Sequence, residues 1–229
     1  MFISRRPVPV PQHRLVCLLL TFTGGFLDVY TYFTRGGIFA NAQSTNMILM
    51  SIRMAEGNFS GAGHYLVSIC SYAAGVLISG ILHKRFGTHG HWHWRQLLVA
   101  GELAILFAVG LVPTGAADAL VNLLVSFICA IQVASFGIFE GMPYASTMCT
   151  GNLRSGVEHL YAFATSKDRR FLFNALRYFT VIFVFILSAF VGVFLVRALH
   201  EKSIWICCGV LMVVLAYLIL VEDMPSQSI

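Results

Sequence analysis

Two stretches of this chain place small polar side chains inside otherwise apolar sequence. Residues 35–59 read RGGIFANAQSTNMILMSIRMAEGNF, and residues 140–166 read EGMPYASTMCTGNLRSGVEHLYAFATS. Asn41, Gln43, Ser44, Thr45 and Asn46 supply donors and acceptors in the first. Thr147, Thr150, Gly151 and Asn152 supply them in the second. Each stretch begins with a break containing Gly or Pro and runs into a helix-like segment of mixed polarity. Non-helical backbone at membrane depth is tolerated only where protein covers it or where it lines a cavity. Its free N–H and C=O groups can then hold an ion or a polar solute. The plainer reading is that Ser, Thr and Asn here cap short helices, as they commonly do.

Charged side chains in or just after the apolar runs are few: Asp28, Glu102 and Arg177 within them, and Glu140 after the fourth. A charge at bilayer depth costs about 2.5 kcal/mol or more on insertion scales, so it is usually paired or functional. Asp28, beside Gly24 and Gly25, is the sharpest case: a carboxylate near a midplane can couple a solute to protons. The structural alternative pairs it with a neighbouring helix or with Arg177. Glu102 stands near enough to the end of its run to reach water, and Arg177 is expected to snorkel to the cytoplasmic surface. The amides Asn122 and Gln132 read as interhelical packing groups. Gly137 and Gly141 form a G-x-x-x-G that suggests close helix contact.

The segment 83–95, HKRFGTHGHWHWR, alternates His89, His91 and His93 in a way that could share a metal. No carboxylate or Cys is close in sequence, and Trp92, Trp94 and Arg95 match an interfacial belt. The segment therefore reads as an anchor, and no cofactor or metal is expected. The six cysteines (Cys17, Cys70, Cys129, Cys149, Cys207, Cys208) form no C-x-x-C, and most lie in apolar runs. There is no P-loop, G-x-G-x-x-G, H-E-x-x-H or G-x-S-x-G, so an enzyme is not the expectation.

Six elements must position these groups. Of 229 residues, 58% are hydrophobic and 11% charged. Soluble domains carry roughly 25% charged residues, and none could hide this much apolar surface. The bilayer is the partner that fits. A span needs about 20 apolar residues, and runs at about 14–34, 61–82, 96–113, 117–138, 171–196 and 203–221 qualify, the third being short. The formal charge of +5 sits in short loops beside these runs, which argues against nucleic acid. With residues 1–11 inside, the inner segments hold Arg5, Arg6, Arg14, Lys84, Arg85, Arg95, Arg154, Lys167, Arg169 and Arg170, and the outer ones hold Arg35, Arg53, Arg197 and Lys202. That bias predicts both termini in the cytoplasm, with residues 1–34 as an uncleaved first helix.

The two breaks lie about 106 residues apart, a shift that carries Asn46 onto Asn152 and Ser44 onto Thr150. The expected fold is an all-α, polytopic helical bundle in a single membrane domain. Repeat 1 spans about 12–115 and repeat 2 about 116–222, with interrupted segments after helices 1 and 4. Three spans per copy make this a 3+3 inverted repeat, a plan known from secondary transporters.

The stretches GGFLDVYTYFTRGGIFANAQSTN (Gly24 to Asn46) and ASTMCTGNLRSG (Ala145 to Gly156) resemble the YoaK family, also called the DUF1275 family, of bacterial membrane proteins. The resemblance covers essentially the whole chain. Family members typically carry a T-G-N triplet in each half. Thr150-Gly151-Asn152 keeps it, whereas Ser44-Thr45-Asn46 lacks the glycine. The resemblance implies a small multi-pass protein of a bacterial cytoplasmic membrane and implies no activity. The function expected is a secondary transporter or channel for a small polar or ionic solute, bound where the breaks meet. Alternatives are a non-transporting assembly or sensor protein and a small intramembrane lipid-handling enzyme. Lipid is the expected partner, and a homodimer is one arrangement open to a half-size carrier.

Overall fold

The computed structural model describes residues 12–86, 94–147 and 149–222. It is all-helical apart from one two-residue hairpin. Helix α1 runs Arg14–Thr34, α2 Gln43–Ala55, α3 Phe59–Phe86, α4 Trp94–Val109 and α5 Asp118–Ser135. After α5 come β1 (Ile138–Phe139) and β2 (Met142–Pro143), then α6 (Cys149–Ser166), α7 (Arg169–Leu199) and α8 (Trp205–Glu222). A 3-10 turn over His200–Ile204 joins α7 to α8.

By length and composition, four helical stretches can cross a membrane: Arg14–Thr34, Phe59–Arg85, Asp118–Ser135 and Arg169–Val221. The last is 53 residues long and holds two helices, α7 and α8, parted at His200, whose φ of 50° ends α7. Helix α4 has 16 residues, about 24 Å at 1.5 Å per residue, and falls short of the ~20 that a span needs. The short third run of the sequence is thus shorter still as a helix. Large apolar side chains cover the outer surface, and polar ones lie inside beside the apolar core. Phe183, Phe190, Leu77 and Leu220 are 60% or more exposed, while Asp28, Asn41, Asn46, Asn122, Gln132 and Asn152 are buried. Exposed apolar and buried polar side chains suit a molecule whose solvent is hydrocarbon.

The core joins α1, α4, α5 and α8 through Phe26, Leu27, Leu106, Val125 and Leu211. Helix α1 packs on α7 and α8, α3 on α5, α2 on α3, α6 on α7 and α4 on α8. Small residues set the closest approaches. A Cβ at Gly25 would run into Ser188 Oγ and lie 2.6 Å from the Phe185 carbonyl of α7. A Cβ at Gly75 on α3 would strike the Phe127 carbonyl of α5.

Local sequence explains where each break begins. Gly36 and Gly37 take φ of 82° and 78°, a left-handed region that favours glycine, and they end α1. Residues 38–42 then return into the bundle: Asn41 Nδ2 donates to the Gly24 carbonyl at 3.2 Å. Gly24 lies ten residues before Thr34, about 15 Å back along α1. The first break therefore re-enters from the Thr34 end. The second break enters from the opposite end. Its hairpin turns at Glu140 and Gly141, both at positive φ, with Phe139 paired to Met142. Tyr178 Oη donates to the Pro143 carbonyl at 2.8 Å. Thr147 then reaches α1 at Gly24.

Four sequence expectations change here. Glu102 does not reach water: it is buried on α4. Arg177 does not pair with Asp28; its Nε lies 2.7 Å from Glu140 Oε2, because the hairpin carries Glu140 back over α7. Gly137 and Gly141 make no helix contact, since the chain has left α5 and Gly141 sits in the hairpin turn. Arg35 is not a loop arginine. Its side chain is fully buried, donating to Asp118 Oδ1 at 2.9 Å, to Tyr30 Oη at 2.8 Å and to the Val112 and Pro113 carbonyls. Burial works against its charge, and the Tyr30 and Asp118 bonds outweigh that, holding the guanidinium above its usual range.

Candidate functional site

The two breaks meet at Gly24. From one side Asn41 bonds the Gly24 carbonyl; from the other, Thr147 Cγ2 would lie 2.5 Å from a Cβ at that position. Only a residue with no side chain admits both. A cavity of about 550 Å³ opens beside this junction. Helix α1 contributes Gly25, Asp28 and Val29, and the first break contributes Phe39, Asn41 and Ala42. The start of α2 adds Gln43, Ser44 and Thr45, and Tyr72 comes from α3. Thr147 and the start of α6, with Cys149, Thr150 and Gly151, also line it, as do Phe185 and Ala189 of α7.

Asp28, Asn41, Gln43, Ser44, Thr45, Thr147, Thr150 and Gly151 therefore share one cavity. Asn46 and Asn152 stand behind it and hold its two walls. Phe39 N donates to Asn46 Oδ1 at 3.0 Å, and Asn46 Nδ2 donates back to the Phe39 carbonyl at 2.6 Å. Seven residues before Asn152, Ala145 makes the same pair of bonds, at 3.3 and 2.7 Å. Each amide thus ties the extended strand of its break to the first turn of the helix that follows. Asn46 also reaches Gln43 Oε1 at 3.0 Å and Ser68 Oγ at 3.4 Å.

Asp28 is the only carboxyl or basic group in the cavity wall among the described residues. It is 5% exposed, and its Oδ1 accepts from Asn41 N at 2.7 Å. The N–H groups of Ala40 and Ala42 also face it. The carboxylate thus sits at the start of α2, whose N-cap, Ala42, offers no side-chain bond of its own. An anion is favoured there by the helix dipole and the orphan donors. The position 106 residues after Asp28 is Ala134, so the second copy carries no carboxylate at the matching place in the sequence. Two oxygens of residues that line the cavity, Asn41 Oδ1 and Thr147 Oγ1, are buried with no hydrogen-bond partner among the described residues. Buried polar atoms rarely stay unpaired without a reason.

Sequence reasoning missed several residues. Phe39, Tyr72 and Phe185 line the cavity, and their types gave no polar signal. Glu102 proves to share a second, apolar cavity of about 110 Å³ with Gln132, between α4 and α5. Gln132 Nε2 donates to the Leu20 carbonyl at 3.1 Å and Asn122 Nδ2 to the Arg35 carbonyl at 2.7 Å, the interhelical ties expected of them. His89, His91 and His93 lie outside the described residues. Among the described residues no group of three His, Cys, Asp or Glu could hold a metal.

Comparison with known proteins gives one finding. A family model described as "Protein of unknown function (DUF1275)" matches residues 16–217, from the first turn of α1 into α8. Neither the curated proteins nor the solved structures give a match.

Proposed function

The chain belongs to the DUF1275 family, and from that premise we propose that it is a secondary carrier or channel for a small polar solute, held where its two re-entrant breaks meet. The observation that carries this reading is the junction at Gly24. Two interrupted segments enter from opposite ends of the bundle, stop at one level, and leave a cavity lined by both. Broken helices around a central site are how many transporters expose backbone donors to a solute. A filled, dry centre would have favoured an assembly role instead.

The same reading takes α1, α3, α4 and α5, α7, α8 as six crossings in a 3+3 inverted repeat, with α2 and α6 as the re-entrant halves. Helix neighbours support it, because their pattern survives exchange of the halves. Helix α1 lies on α7 as α5 lies on α3; α2 lies on α3 as α6 lies on α7; α1 lies on α8 as α5 lies on α4. The amide clamps at Asn46 and Asn152 fall 106 residues apart with the same partners seven residues back. A short α4 is compatible with a crossing where the bilayer thins against it, at a cost of fractions of a kcal/mol per Å. The distribution of basic residues supports residues 12 and 222 on the cytoplasmic side of a bacterial inner membrane. Asp28 serves as the proton-linked group, because it is the one charge in the cavity wall among the described residues.

Reconstitution in liposomes tests this. Uptake across a panel of amino acids, amines, organic acids and inorganic ions is measured with and without a pH gradient, for the native chain and for Asp28→Asn. A solute driven by the gradient in the native chain but not in the variant is the expected result. Gradient-driven uptake that survives Asp28→Asn refutes the proton linkage. No uptake of any solute by a folded, correctly inserted protein refutes transport.

A further inference from the structure

We infer that the solute is a small zwitterion of the amino-acid kind, its ammonium at Asp28 and its carboxylate at the start of α6; this rests on the carrier reading above. Charge balance decides among cation, anion and zwitterion. Two helix starts face the cavity, and each carries roughly half a positive charge. One carboxylate, Asp28, opposes them, so the wall as a whole is close to neutral. A net ion in this water-poor centre would lack a counter-charge. A solute with no net charge but two separated poles would not.

The two poles come from different elements that line the same cavity. At one, the Asp28 carboxylate accepts a bond of 2.7 Å from Asn41 N, and Asn41 Oδ1 is an unpartnered buried acceptor beside it. Those atoms call for donors, as an ammonium provides. At the other, α6 is 18 residues long and Cys149, Thr150 and Gly151 of its first turn line the cavity; the first N–H groups of a helix have no partner within the helix. Asp28 is the only carboxyl group in the cavity lining among the described residues, and its Oδ1 is already bonded to Asn41 N at the start of α2. Gly151 leaves open space where a Cβ would stand. Thr147, 4% exposed, has an unpartnered hydroxyl in the same wall. Those groups call for an anion, and a helix start is a ready anion site. Phe39 and Phe185 in the same lining offer apolar surface for a hydrocarbon substituent.

Equilibrium binding to the purified full chain in lipid nanodiscs tests this without requiring transport. The probes are L-alanine, L-serine and L-leucine, each with its decarboxylated amine and its deaminated acid. At least one amino acid should bind roughly tenfold or more tighter than either of its half-molecules, since each half leaves one pole unpaired. Asp28→Asn should weaken that amino acid and leave the deaminated acid unchanged, while Gly151→Val should weaken both. An amine that equals its amino acid makes this a cation site and overturns the inference; an acid that does so makes it an anion site and overturns it equally. Absence of binding by all three amino acids also overturns it. In that case liposome uptake of any other solute leaves the carrier reading standing, so the two failures are told apart.

Discussion

Asn152→Ala removes one clamp and leaves everything else in place. Two hydrogen bonds vanish, at 3.3 and 2.7 Å, and the N–H and C=O of Ala145 are left without the amide. A net bond contributes about 1 kcal/mol, and an unpaired buried group costs about 1–3 kcal/mol. With partial relaxation of the break, the loss is about 2–4 kcal/mol. Asn46→Ala should cost more, about 3–6 kcal/mol, because Asn46 also bonds Gln43 and Ser68 and is fully buried. For a chain of this size each kcal/mol moves an unfolding midpoint by roughly 2–4 °C. Asn152→Ala should thus lower the apparent Tm of the detergent-purified protein by roughly 5–15 °C, and Asn46→Ala by more. Heating followed by fluorescence-detected size exclusion reads this directly. Ser51→Ala, an exposed hydroxyl bonded only within α2, is the control and should stay within about 0.5 kcal/mol of native. The reasoning fails if Asn152→Ala matches the control, or if Asn46→Ala is the milder of the two clamp variants.

Other outcomes follow from the same geometry. Arg35→Gln should cost about 3–5 kcal/mol, because it removes a fully buried guanidinium that bonds Tyr30, Asp118 and the Val112 and Pro113 carbonyls, whereas Arg177→Gln, part-exposed on both sides of its pair with Glu140, should cost about 1 kcal/mol or less; thermal shifts of the two variants should differ several-fold. Gly25→Leu should prevent α1 from seating on α7 and lose the folded peak on size exclusion, while Gly101→Ala, where a Cβ meets nothing within 4 Å, should be neutral or stabilising by about 0.5–1 kcal/mol. Tags at residues 88 and 222 should both report cytoplasm, and a periplasmic signal at either would sink the six-crossing topology.

Much of this molecule is legible in its sequence because two of its signals are local. Apolar runs of about 20 residues mark helices wherever the solvent is lipid, so the runs at 14–34 and 171–196 appear as α1 and α7 nearly end to end. Gly36-Gly37 and the Pro143 region mark breaks because backbone geometry there is set by neighbours in the chain. The polar residues after each break, from Asn41 to Thr45 and from Thr147 to Gly151, could be singled out as binding candidates, since polar groups are rare and costly in apolar surroundings. What only the tertiary structure decided are relations between distant parts of the chain. Burial of Arg35 depends on Asp118 and on the carbonyls of residues 112 and 113. The Glu140–Arg177 pair depends on a hairpin folding over α7. Asn46 and Asn152 look like site residues in sequence, yet their amides face the backbone of their own breaks. That both breaks stop at Gly24 depends on how far each chain segment re-enters. No local preference encodes that depth; it is set by α1 packing against Asn41 on one side and Thr147 on the other.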